Sequence, residues 1–141
     1  LIQAIFVSPN YDKPVVEAPM NQPPEPPKPD YVQLMAEGIK SFEGWFPGSR
    51  SQRNNNAGNI KGKDGKFLVF RTPEAGFEYL KDYIRRACTG KHLAYKPSFT
   101  LRQFVHVYAP DGELIETNYT NHLAKRMGIF PSTKLSEIYT V

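Results

Sequence analysis

Among its 141 residues the chain has one cysteine, Cys88. That excludes an internal disulfide framework and a cysteine-ligated metal cluster. No apolar run approaches the roughly 20 residues of a membrane helix, so no membrane span is expected. The apolar start, Leu1 to Val7, is too short for a signal peptide and lacks its charged flank. The chain begins with Leu, as a processed or excised piece of a longer protein would. No internal repeat and no nucleophile-elbow pattern is present. His92, His106 and His122 lack metal-ligand spacing and read as surface or satisfied residues, so neither a metal nor another cofactor is expected. The net charge is +4, which favours an anionic partner. The positives are dispersed, however, in nothing longer than pairs such as Arg85-Arg86 and Lys125-Arg126. A nucleic-acid partner is therefore not expected.

What is present suits one modest core: 40% hydrophobic residues, with a generous 13% aromatic. Leu1 to Val7 reads as a short strand or arm that needs a partner to cover it. Composition then shifts, ending in Pro23-Pro24-Glu25-Pro26-Pro27-Lys28-Pro29. Proline at that density cannot join a helix or central strand and prefers an extended polyproline conformation. Residues 1–29 are thus expected to be an extended N-terminal arm and proline-rich linker, with residues 30–141 forming the domain. A spacer is preferred to a peptide ligand, and either use would tether the domain to another protein or particle.

Within the domain, Asp30 is a plausible N-cap for a helix carrying Val32, Met35, Ala36, Ile39 and Phe42 and ending near Gly44. Asn54 to Asn59 must form a loop. Lys63-Asp64-Gly65-Lys66 is a turn signal, and the spacing predicts a strand over 67–70 that makes a small hairpin with 59–61. Thr72 and Pro73 open a second helix with Phe77, Leu80, Ile84, Ala87 and Cys88 on its buried face, ended by Gly90. Cys88 reads there as a small buried hydrophobe. Ser98 or Thr100 caps a third helix stopped by Pro110. Thr117 is expected to cap a fourth, closed by Gly128, and a short last helix starts near Thr133. The sum is α+β: mostly helical with one small β-hairpin.

The stretch from Ser41 to Ile60 carries the chemistry. Glu43 follows Phe42 at a helix C-terminus, where desolvation and the helix dipole would both raise a carboxyl pKa and make a usable general acid. Asn54, Asn55, Asn56 and Asn59 follow, amides able to hold a neutral sugar and its N-acetyl group. On local physics alone Glu43 is a solvated residue and the asparagines are turn chemistry, some bracing the loop and some holding Glu43. Trp45 and Phe46 could be core. Lys81, Arg85 and Arg86 read as a solvated helix face.

Five blocks in order add a resemblance: Phe42-Glu43-Gly44-Trp45, Arg53-Asn54-Asn55-Asn56-Ala57-Gly58-Asn59, Phe70-Arg71-Thr72-Pro73-Glu74-Ala75-Gly76, Tyr108-Ala109-Pro110, and Tyr119 through Met127-Gly128-Ile129. They resemble the lysozyme-like, glycan-cleaving domains of phage virions and related peptidoglycan lytic transglycosylases, over residues 31–139. Ala57 stands where that family has proline, and the segment between Pro110 and Tyr119 departs from its pattern. The resemblance implies a lysozyme-like fold with Glu43 as catalytic acid. It also implies Asn54, Asn55, Asn56, Asn59, Tyr108 and Tyr119 at the substrate, the two tyrosines as groove surfaces. The implied reaction cuts the bond between N-acetylmuramic acid and N-acetylglucosamine in bacterial peptidoglycan. The implied place is a virion acting at the cell wall or in the periplasm, with residues 1–29 docking to a virion or other structural protein. A single-Glu transglycosylase needs no second carboxylate. A hydrolase would need one roughly 5 to 9.5 Å away, and Asp64, Glu74, Asp111, Glu113 and Glu116 all remain candidates. Hydrolysis on the same fold, or an inactive wall-binding virion protein, are the alternatives.

Overall fold

Asp30 opens the first helix, α1 (Tyr31–Glu43): its carboxylate accepts from the Gln33 amide and caps it. The computed structural model describes residues 20–141. The strand or arm expected over residues 1–7 and much of the expected linker lie outside that range. Residues 20–29 are exposed and carry no helix or strand.

The other helices follow from similar local chemistry. A four-residue turn, α2 (Arg50–Arg53), is capped by Ser49, whose hydroxyl accepts from Gln52. Thr72 caps α3 (Pro73–Thr89), with Pro73 at its first position and Gly90 ending it in the left-handed region. Thr100 and Gln103 form a reciprocal capping box for α4, Leu101–Tyr108. The fourth long helix, α5 (Glu113–Met127), begins four residues before the expected Thr117. Gly112 turns the chain at φ 105, and Glu113 and Glu116 offset the exposed amides of the first turn in place of a side-chain cap. The last, α6 (Leu135–Ile138), starts two residues after Thr133.

The expected β-hairpin is reduced to one antiparallel bridge, Lys61 with Phe67, and no sheet forms among the described residues. The chain does reverse there: Leu68 N–H donates to Ile60 O, and Gly62 N–H to Lys66 O. The ladder cannot grow because its groups are taken. Asn56 Nδ2 donates to the Leu68 carbonyl, Asn55 Nδ2 to the Phe70 carbonyl, and Phe70 N–H to Asn54 O. Asparagine side chains have replaced strand pairing.

The described domain is therefore mostly helical. α1 packs on α3 and α5, α4 on α5, and α3 on α6. Met35, Ile39, Leu80, Ile84, Leu101, Phe104, Leu123 and Leu135 are fully buried between them, each burial contributing about 1.5–3 kcal/mol. Cys88 is buried in the same core, and burial pushes its thiol up to about 12. No helix of the described residues is long and apolar enough to cross a membrane.

Candidate active site

Glu43 is the last residue of α1, and Gly44, at φ 90, swings the chain away immediately behind it. The half-buried side chain is held at both oxygens. Asn59 Nδ2 donates to Oε1 at 3.1 Å, and the Tyr119 hydroxyl donates to Oε2 at 2.8 Å. α1, the asparagine loop and α5 thus converge on one carboxylate. Phe42 stacks on Tyr119 with ring centroids 4.0 Å apart, which fixes the tyrosine from the α1 side.

The two tyrosines differ in role. Tyr119 is buried and does not line the cleft; the groove surface expected of it is absent because its ring is enclosed beneath Glu43. Only its hydroxyl reaches the site. Tyr108 does line the cleft, and its hydroxyl donates to the Gly58 carbonyl at 2.6 Å. Burial first, with the nearby Glu43 charge and neighbouring tyrosines adding to it, raises both phenols well above their usual range. Both therefore stay protonated and remain hydrogen-bond donors at any working pH.

The four asparagines also divide. Asn56 is fully buried: its Oδ1 accepts from Ile60 N–H, and its Nδ2 donates to Ile60 O and Leu68 O. It is the internal tie of the loop, with no side-chain capacity aimed outward. Asn55, at φ 52, braces Phe70, and Asn54 ends α2. None of these three lines the cleft, whereas Asn59 does. Asn59 sits at φ 47, a conformation that costs about 1 kcal/mol or more for a residue with a side chain. Its Oδ1 is buried with no hydrogen-bond partner. A strained backbone and an unpaired acceptor set Asn59 apart from the other three, and it is the one that bonds Glu43.

The cleft itself has a volume of about 680 Å³. Glu43 and the Gly58–Lys61 segment line it, together with Arg50, Phe67, Tyr83, His92 and the end of α4 through Asp111. Of the carboxylates named from sequence as possible second acids, Asp111 alone lines the cleft. Glu116 instead pairs with His106 at 2.5 Å. Trp45 lies outside the cleft, half-buried beneath the Lys40 ammonium, and Phe46 is 59% exposed rather than core. Arg50, Lys61, Phe67 and His92 were not legible as site residues. They sit on turns and short elements whose sequence shows no periodicity, and only the chain reversal at Asp64-Gly65 hinted that 59–61 and 67 would meet. Among the described residues no three His, Cys, Asp or Glu side chains gather as a metal site.

No family model, curated protein or solved structure matches this chain.

Proposed function

We propose that this chain is a lysozyme-like enzyme that cleaves the glycan strands of bacterial peptidoglycan between N-acetylmuramic acid and N-acetylglucosamine. The observation that carries the reading is Glu43 in a cleft wall, each oxygen held by a neutral donor from a different part of the chain. Two donors from different elements fix the direction in which this carboxyl faces the cleft, the geometric requirement for proton transfer with a bound glycan. Its place between the helix end and the asparagine loop also agrees with the resemblance of the five sequence blocks to phage virion lysozyme-like domains.

The reaction we favour is lytic transglycosylation. Glu43 gives its proton to the bridging oxygen as the bond from that oxygen to C1 of the muramyl residue breaks. The carboxylate then takes the proton of the same residue's C6 hydroxyl as that oxygen bonds to C1. An anhydro ring results, with no water consumed and the carboxyl restored. Hydrolysis is the second reading, and among the carboxylates that could serve it Asp111 is the one that lines the cleft with Glu43. A virion setting, with the N-terminal arm bound to a structural partner, rests on the sequence resemblance and the proline-rich composition.

Glu43→Gln should lower turnover of purified sacculi by about 10²- to 10⁴-fold, the usual size of a general acid–base contribution. Equal clearing of a sacculus gel by wild type and variant would refute the assignment. Mass spectrometry of the released muropeptides then decides the chemistry. Anhydro-muramyl ends are expected, with Asp111→Asn costing less than about tenfold. Reducing ends together with a dead Asp111→Asn would establish hydrolysis.

A further inference from the structure

Arg50 and Lys61 both line the cleft that holds Glu43, and both are stacked over one ring. The Arg50 guanidinium carbon lies 4.4 Å from the Phe67 centroid, and the Lys61 ammonium 5.2 Å from it. Among the described residues Lys81, Arg86 and Arg126 pair with a carboxylate and most other cations, Arg50 and Lys61 included, do not. What sets Arg50 and Lys61 apart is that they share one ring in the wall of the cleft. Two like charges held within 5.2 Å of one ring centroid repel each other, and a neutral sugar bound beside them offers no counter-charge. The Lys61–Phe67 backbone bridge ties the ring's segment to the lysine's own. A planar guanidinium and an ammonium that share a ring and line one cleft suit a carboxylate.

Building on the glycan-cleaving reading above, we infer that Arg50, Lys61 and Phe67 form an anion subsite that selects glycan strands bearing carboxylates over neutral poly-N-acetylglucosamine. The carboxylate can come from the lactyl ether of the sugar itself or from an attached stem peptide. Both present the same group, and the site is built for that group.

The test uses binding rather than turnover, with Glu43→Gln protein and three soluble oligosaccharides of equal length. These are neutral N-acetylglucosamine oligomers, muramyl-containing strands freed of their stems, and the same strands with stems attached. The expected result is at least about tenfold tighter binding of a carboxylate-bearing strand at low salt, shrinking as salt is raised. Preference for the stem-free strand assigns the lactyl group, and preference appearing only with stems assigns the peptide. Adding Arg50→Ala and Lys61→Ala should bring the ratio of affinities close to one. Both residues are exposed, so their truncation leaves the core closed, and circular dichroism checks this. An unchanged ratio in that variant overturns the subsite and returns the two cations to a solvated surface, leaving the glycan reading standing. Failure of the Glu43→Gln protein to bind any of the three overturns the glycan reading, and the subsite with it.

Discussion

Tyr119 does not line the cleft but touches it through Glu43. Its ring is enclosed, its phenol is held in the neutral form by burial, and its one hydrogen bond goes to Glu43. Tyr119→Phe removes that bond and almost no volume. We expect kcat to fall about tenfold with KM unchanged, because a directing contact is lost but no substrate contact. Stability should drop by only about 1 kcal/mol. Steady-state kinetics on soluble muropeptide chains, alongside thermal melts, separate the two effects. Glu43 was legible in the sequence because its neighbours form a motif. The split among the asparagines was not, since four identical side chains within six residues look alike until the loop closes. Asn56 turns inward to bond two carbonyls and an amide, and Asn59 turns toward the acid.

At the level of elements, the caps were the readable part. Asp30, Thr72, Gly44, Gly90 and Gly128 all act where the sequence placed them, and of the two candidates Ser98 and Thr100 it is Thr100 that caps α4. What escaped was the single turn of α2, too short to show a period although Ser49 caps it, the uncapped start of α5, and the failure of the hairpin to extend past the asparagine side chains that take its carbonyls. The contact of α3 with the asparagine loop was also invisible, since it depends on what Gly76 lacks. A Cβ built on Gly76 would lie 1.7 Å from the Asn55 carbonyl oxygen, which is backbone and cannot step aside. Gly76→Ala should therefore push loop and helix apart. We expect a loss of at least about 3 kcal/mol in chemical denaturation and a larger loss of activity than global unfolding explains. Gly58→Ala, whose Cβ would lie 2.4 Å from the Tyr108 hydroxyl oxygen, tests the loop's contact with α4: that hydroxyl, hydrogen-bonded to the Gly58 carbonyl, would have to shift.

For the molecule as a whole, the α1–α5 contact is tied at its surface by Arg126 on Glu37, 2.7 Å apart. Hydrogen bonds from Gln33 and then Arg126 hold the Glu37 carboxyl below its usual range. A depressed acid binds fewer protons folded than unfolded, so its contribution is complete above about pH 4.3 and fades as pH falls through the lower, folded value. Arg126→Met should thus lower Tm at pH 7 by a few degrees at most, as for other solvent-facing pairs. The gap should close as pH falls through that lower, folded value, which melts of both proteins across pH would check. The helical class was legible as a whole because hydrophobic period and caps agreed along the chain. The cleft was not, because it is made by the meeting of segments far apart in sequence. Asn56 has one more consequence. Its side chain seals the Ile60 amide inside the loop, so that proton can trade with heavy water only when the loop opens. Measured by deuterium uptake, the segment bearing Asn59 should therefore age with the helices and not with the surface turns.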